Sequence, residues 1–142
     1  VSGNHTRGTN ADGGGLSSFG AVTLVQTTVS GNWTEASGAS AGGVAIGPSA
    51  AATITRSTIA NNRVVNSLTQ GGGIVSFGGT LRLDGAIVAA NSAAANPDLL
   101  SLSTIYADWT LIEESGVPVV GAGNKIGMSA SLLPLANSPP ET

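Results

Sequence analysis

The sequence is poor in the residue types on which many folds and active sites depend. Its 142 residues include no cysteine, 9% charged residues and 4% aromatic residues. The lack of cysteine argues against a disulfide scaffold. The five basic residues are scattered along the chain, so no basic patch indicates a nucleic-acid partner. Because no apolar run reaches the length of a membrane-spanning helix, we expect no membrane span either.

The residues that the chain does contain are mostly small or apolar. Hydrophobic residues make up 41% of the sequence, and 21 residues are glycine. A disordered chain would combine low hydrophobicity with high net charge, whereas the formal net charge here is −3. The length is that of one ordinary domain. The composition therefore predicts a folded single domain over residues 1–142.

A repeat of about 29 residues organises the sequence. The phrase Val-Ser-Gly-Asn recurs in related form, in steps of 28, 30 and 29 residues, at 1–4, 29–32, 59–62 and 88–91. A glycine-rich block keeps the same spacing at 13–15, 41–43 and 71–73. A fixed period of this length is typical of a solenoid in which each repeat forms one coil.

Each coil is expected to contain at least two short strands. One begins at the glycine-rich block, and the other, such as residues 22–29, alternates apolar and polar residues before the Asn. Strands that stack in one register are parallel and rise by about 4.8 Å per coil. The apolar positions that should stack in the core are Leu24, Ile54, Leu83, Val29, Ile59 and Val88.

The Asn of each repeat is expected to join an internal amide ladder. A buried amide is unfavourable unless it is hydrogen-bonded, and stacked amides can bond to one another. The predicted ladder consists of Asn4, Asn32, Asn62 and Asn91. The segments after these residues, at 5–12, 33–41 and 63–70, vary in sequence and are interpreted as loops on one side of the column. His5, the only histidine, falls in the first loop, where we expect it to be solvated.

The repeats resemble those of bacterial right-handed parallel β-helix surface proteins, including polymorphic outer-membrane proteins. The likeness rests on Gly-Gly-Gly-Ile-Val-Ser-Phe-Gly-Gly-Thr-Leu-Arg-Leu at 71–83 and Thr-Ile-Thr-Arg-Ser-Thr-Ile-Ala-Asn-Asn at 53–62. The phrases at 108–112, 123–127 and 132–137 resemble those that close choice-of-anchor β-helix domains. The resemblance implies a secreted or surface-displayed segment, and it implies no particular reaction.

The predicted fold is therefore an all-β, right-handed parallel β-helix of about five coils of 28–30 residues each. Residues 1–97 should form regular coils, and residues 98–142 should form irregular last coils and a Pro-rich tail. The chain opens within a repeat and its ending departs from the family pattern. Both features favour a fragment that lacks the first coils and the C-terminal cap of a longer domain.

The function that we expect is a non-catalytic structural or adhesive module of an extracellular or cell-surface bacterial protein. The eight acidic residues do not cluster, and the sequence predicts no catalytic residue, cofactor or metal site. The expected partners are a second copy of the chain, the remainder of a larger surface protein, or glycans. The alternative function is a subunit of a self-assembling filament, built by head-to-tail stacking of coils.

Two further alternatives stay open, a carbohydrate-active β-helix enzyme and an ice-binding solenoid. Ice binding would need long outward rows of Thr, but each predicted row has two members before Arg82 or Ile87 interrupts it. Those rows are Thr23 with Thr53 and Thr28 with Thr58. The aromatic residues that could line a sugar-binding strip are Phe19, Trp33, Phe77 and Trp109.

Overall fold

The structure, a computed structural model, describes residues 1–35, 37–65 and 70–132. These residues form short strands and turns and contain no helix. All strand pairs within them are parallel and belong to four sheets. Each coil visits the sheets in the same order, so the predicted all-β parallel β-helix is confirmed. The Pro-rich tail from residue 133 onward lies outside the described residues.

The four sheets form the sides of the column, and we number them I to IV in the order in which a coil meets them. Sheet I contains β2 (Leu16–Ser18), β6 (Val44–Ile46), β10 (Ile74–Ser76) and β13 (Leu99–Ser101). Sheet II contains β3 (Val22–Val25), β7 (Ala51–Thr55), β11 (Thr80–Asp84), β14 (Ile105–Asp108) and β16 (Val119–Val120). Sheet III contains β4 (Thr28–Ser30), β8 (Thr58–Ala60), β12 (Ile87–Ala89), β15 (Leu111–Ile112) and β17 (Lys125–Ile126). Sheet IV contains β1 (His5–Thr6), β5 (Trp33–Thr34) and β9 (Arg63–Val64).

The strand registers stack the predicted core residues directly over one another. In sheet II, Leu24 pairs with Ile54 and Ile54 with Leu83. In sheet III, the column consists of Val29, Ile59 and Val88. All of these side chains are fully buried except that of Leu24, which is partly buried. Burying an aliphatic side chain of this size contributes about 1.5–3 kcal/mol, so these columns are a main source of stability.

The strand predicted over residues 22–29 is wrong in one respect, because the structure divides it between sheets II and III. The division falls at a residue with positive φ, which turns the chain out of one sheet and into the next. This left-handed conformation recurs at the same corner of five successive coils, at Gln26 (φ 48°), Arg56 (φ 46°), Gly85 (φ 58°), Trp109 (φ 52°) and Gly123 (φ 69°). We call this position the II–III corner. Since only two of its five residues are glycine, the sequence carries no clear signal for the turn.

Sheet IV also differs from the prediction, which treated residues 5–12, 33–41 and 63–70 as loops from their first residue. Each segment instead begins with a two-residue strand, in which His5 pairs with Trp33 and Trp33 with Arg63. Two-residue strands give too few alternating positions for a pattern to reveal them. Residues 36 and 66–69 of the second and third segments lie outside the described part of the chain.

The coils shorten toward the C-terminal end of the described structure. Aligned positions in sheet II are Val22, Ala52, Leu81, Ile105 and Val119, and successive steps are 30, 29, 24 and 14 residues. Sheets II and III are therefore five strands deep, whereas sheet IV contains three strands among the described residues. The 24-residue step keeps a single bridge on the fourth side, between Ser92 and Arg63, and the 14-residue step, which is described throughout, has no strand there.

Candidate functional site

The four asparagines of the repeat form a continuous chain of hydrogen bonds inside the column. The Nδ2 atoms of Asn4, Asn32 and Asn62 each donate to the Oδ1 atom of the next asparagine, at 2.9, 2.9 and 3.0 Å. Their backbone N–H groups donate to the same oxygens, at 3.0, 3.1 and 2.9 Å. The structure thus brings together all four residues, of which Asn32, Asn62 and Asn91 are buried.

The ladder also satisfies carbonyl groups of the preceding coil. Through their second Nδ2 hydrogen, Asn32, Asn62 and Asn91 donate hydrogen bonds to the backbone oxygens of Val1, Val29 and Ile59, respectively. Each asparagine follows a residue in the left-handed conformation, which aims its side chain inward; these residues are Gly3, Gly31, Asn61 and Ala90. Every donor of these buried amides therefore has an acceptor, which removes the cost of burying them.

Asp98 closes the ladder at its C-terminal end. Its Oδ1 atom accepts hydrogen bonds from the backbone N and the Nδ2 of Asn91, at 3.0 and 2.8 Å, as an asparagine Oδ1 does elsewhere in the ladder. Its Oδ2 atom accepts one from the backbone N of Glu114, at 2.8 Å. An ionised carboxylate can accept but not donate, so the row of donors stops here.

Sequence reasoning missed Asp98 because it does not lie at a repeat position for Asn. It follows Asn91 by 7 residues and precedes Leu99, where the strand registers align it with Gly15, Gly43 and Gly73. In those coils a Cβ atom would collide with the Asn amide, as at Gly73, where it would lie 2.7 Å from Nδ2 of Asn91. The sequence does carry one signal for this residue, because the glycine block that precedes the first strand of the earlier coils is missing before Leu99.

Burial raises the pKa of the Asp98 carboxyl above its usual value of 3.8, and the hydrogen bonds from Asn91 and Glu114 only partly offset this effect. Between the unfolded and folded pKa values, the folded state binds more protons than the unfolded state. The contribution of the Asp98 carboxyl to the free energy of unfolding is therefore greatest below pH 3.8. It declines as the pH rises through the folded pKa.

We expect Asp98→Asn to remove this contribution to the pH dependence. The free energy of unfolding of the parent chain minus that of the variant should fall as the pH is raised from about 3.5 to 7, because the other acidic groups are common to both. Urea titrations at a series of pH values measure this difference. A difference that stays constant or rises with pH would contradict the expectation.

A second row of polar groups lies at the II–III corner. The backbone N of Thr27 donates to Oγ of Ser57 at 3.0 Å, and that of Thr110 donates to Oδ1 of Asn124 at 3.0 Å. Between them, the backbone N of Ala86 donates to Oγ1 of Thr110 at 3.3 Å. These contacts satisfy the turn groups that the left-handed residues leave outside the sheets.

The outer face of sheet IV carries a stack of side chains from successive coils. The rings of His5 and Trp33 lie parallel, with centroids 3.5 Å apart, and the guanidinium of Arg63 lies 5.1 Å from the Trp33 ring centroid. Oε1 of Glu35 lies 3.3 Å from His5 Nε2 and 3.1 Å from Arg7 Nε. The expectation that His5 is solvated is therefore wrong, since Trp33 and Glu35 cover most of its side chain.

The remaining aromatic candidates occupy separate surfaces. Phe19 and Phe77 lie where sheet I turns into sheet II, with Gly47 between them in the register. Trp109 is at the II–III corner, and Trp33 is on sheet IV. The four aromatic residues named from the sequence thus do not form one strip. Tyr106 points outward from β14, three residues before the exposed Trp109.

The outer face of sheet II around β14 combines these aromatic side chains with an ion pair. Nη2 of Arg82 lies 2.9 Å from Oδ2 of Asp108, and Oδ1 of Asp108 accepts a hydrogen bond from the backbone N of Ala122 at 3.0 Å. Arg82 pairs with Tyr106 in the strand register, so the aromatic ring and the guanidinium are neighbours. The Thr23 and Thr53 row ends at this Arg82.

The described residues contain no group of three or more His, Asp or Glu side chains that could hold a metal ion. The described residues also contain no helix that is long and apolar enough to cross a membrane. No protein-family profile, curated protein or solved structure matches this chain.

Proposed function

We propose that this chain is a non-catalytic structural and adhesive module of an extracellular bacterial surface protein. The observation that carries the proposal is the continuous interior, in which aliphatic columns and the amide ladder run through successive coils. Each coil is bonded to its neighbours, so the column keeps its outer faces at a fixed spacing. The resemblance of the repeats to bacterial surface proteins supports the extracellular location.

The outer charges also favour binding over turnover. Hydrolysis of a glycosidic bond commonly needs two carboxyl groups that face each other across the bond. Here Asp108 faces Arg82, and Glu35 faces Arg7 and His5. Asp98 lines one pocket with Glu113 and Glu114, but both of its oxygens accept hydrogen bonds at the end of the ladder, and Glu113 accepts one from the backbone N of Ala90. Carboxylates engaged in this way are poorly placed to transfer protons to a substrate.

A subunit of a self-assembling filament is the second candidate function. Within the described residues, the outer edges of β2 and β3 have no partner strand, and Leu16, Val22 and Leu24 beside them are partly buried. Unpaired edges of this kind can pair with another strand, here from a second copy stacked head to tail. This candidate ranks second because the amide ladder ends at Asp98, before the last strands β16 and β17, and so does not reach the end at which such a junction would form.

The test measures how many beads coated with the purified chain remain on plates coated with polysaccharides or extracellular-matrix proteins. On at least one plate, we expect more of these beads to remain than uncoated beads or beads that carry heat-denatured chain. The same chain should release no reducing ends from those polysaccharides. Product release in proportion to the amount of chain would contradict the non-catalytic proposal, and retention on no plate would contradict the adhesive one. Filaments in negative-stain electron microscopy of concentrated chain would favour the second candidate instead.

A further inference from the structure

Trp109 is a residue that the fold does not need. It occupies the II–III corner with φ 52°, a conformation that is unfavourable for a bulky side chain, and its side chain is 74% exposed. Glycine fills the same corner in the coils before and after it, at Gly85 and Gly123. Gln26 and Arg56 adopt the same conformation at this corner, so the backbone tolerates a tryptophan without requiring one, and burial does not account for it either.

The surroundings of Trp109 leave its indole available to a ligand. A Cβ atom at Gly123 would lie 2.5 Å from Cε3 of Trp109, so the ring rests against the backbone of that glycine. On the side of the preceding coil, Gly85 contributes no side chain. Gly123 thus supports one side of the ring, and the nearest side chain to the corner at Gly85 is that of Arg56, whose Cγ would lie 3.6 Å from an added Cβ, while the indole stays 74% exposed.

A second aromatic ring lies on the same strand. Tyr106 points outward from β14 and is 47% exposed, and it is three residues from Trp109, a separation of about 10 Å in an extended chain. Asp108 lies between them in the sequence and is paired with Arg82. A groove beside Tyr106 is lined by the hydroxyl-bearing residues Thr80 and Thr104, among others. Hydroxyl groups therefore lie on one side of Tyr106, and the Arg82–Asp108 pair lies toward Trp109.

We infer that this face of sheet II binds a neutral oligosaccharide, an inference that rests on the proposed adhesive function and names its ligand. Sugar rings present C–H groups that pack on aromatic rings and hydroxyls that bond to guanidinium and carboxylate groups. Arg56 and Arg82 balance the neighbouring Asp84 and Asp108, so this face favours neither an anionic nor a cationic ligand. Two exposed aromatic residues three positions apart suit a chain of sugar units better than a single one.

The test is tryptophan fluorescence of the purified chain during titration with neutral hexose and N-acetylhexosamine oligosaccharides of two to four units, and with sulfated and sialylated oligosaccharides of the same length. The sequence has two tryptophans, so the signal that Trp109→Gly removes is that of Trp109. We expect saturable binding in the parent chain. Isothermal titration calorimetry, which needs no indole reporter, should show affinity weakened at least tenfold in Trp109→Gly and in Tyr106→Ala. Trp109→Tyr should recover part of the affinity because it restores an aromatic ring.

The matched control is Phe19→Ala, which removes another exposed aromatic ring (77% exposed) that lies against a glycine, Gly47. This variant should bind as the parent chain does. Trp109→Gly should also leave the urea midpoint unchanged or higher, because glycine adopts the corner conformation without strain. A structural role for Trp109 would instead lower the midpoint.

Four results would overturn the inference: no binding to any member of the panel, binding confined to sulfated or sialylated sugars, equal affinity in Trp109→Gly, or a lowered midpoint in that variant. Failure of the proposed function is distinguishable from these results. If the oligosaccharides are bound and also cleaved, chromatography of the mixture will detect products and the non-catalytic proposal fails. If they are neither bound nor cleaved while beads still adhere to a protein-coated plate, only the oligosaccharide inference fails.

Discussion

Asn62→Ala is expected to lower the free energy of unfolding by about 4 kcal/mol, since each buried donor without an acceptor costs roughly 1–3 kcal/mol. Removal of the side chain takes the acceptor from both the backbone N and the Nδ2 of Asn32. It also takes a donor from the carbonyl of Val29 and from Oδ1 of Asn91. Urea denaturation followed by circular dichroism measures the loss.

The matched control for this substitution is Asn61→Ala, one residue earlier in the chain. Asn61 is exposed and adopts φ 57°, and the same corner of the next coil is occupied by Ala90 with φ 56°. Because alanine is accommodated there, the control should cost about 1 kcal/mol or less. If the two variants lose similar amounts of stability, the ladder does not contribute more than the rest of this turn, and the prediction is wrong.

Gly43→Ala is expected to cost about 3 kcal/mol, near the upper end of the usual range for overpacking. An added Cβ would lie 2.5 Å from the carbonyl oxygen of Gly73 and 3.0 Å from Nδ2 of Asn62. Neither neighbour can move freely, because the first is backbone between two stacked coils and the second belongs to the ladder. If the two coils move apart, the Gly73 carbonyl and the Asn62 amide become exposed to water. The loss of stability should therefore appear as a lower urea midpoint and faster proteolysis.

Gly20→Ala provides the comparison, since an added Cβ at Gly20 meets no atom within 4 Å. It should be neutral or stabilising by a few tenths of a kcal/mol, because alanine restricts the unfolded chain. If Gly43→Ala unfolds at the same urea concentration as Gly20→Ala, the close packing of coils at the glycine block is not important for stability.

The fold class could be predicted from the sequence because one period controls both the aliphatic positions and the asparagines. A residue that recurs every 28–30 positions must lie over its counterpart if each repeat is one coil, and Leu24, Ile54 and Leu83 do so. The division of a coil into four sheets could not be predicted in the same way. It depends on left-handed residues such as Gln26 and Arg56, whose side chains give no indication of that conformation.

The surface features were harder to anticipate than the core. The stack of His5, Trp33 and Arg63 joins residues that are distant in sequence and share only a register position. The face around β14 depends on the shortened fourth coil, which places Tyr106 beside Arg82 although the two are 24 residues apart. A period near 29 does not identify such neighbours. Asp98 was missed for a related reason, because it replaces a glycine of the repeat rather than an asparagine.

The amide ladder has an electrical direction. In every bond between two amides of the ladder, the N–H points toward the C-terminal coils and the Oδ1 atom points back, so the amide dipoles add along the column. The positive end of this row meets the carboxylate of Asp98, as an anion meets the first turn of an α-helix. A negative charge placed at the opposite end, in the position of Asn4, would face the oxygen end of the row and be repelled. The column therefore distinguishes its two ends by electrostatic polarity as well as by shape.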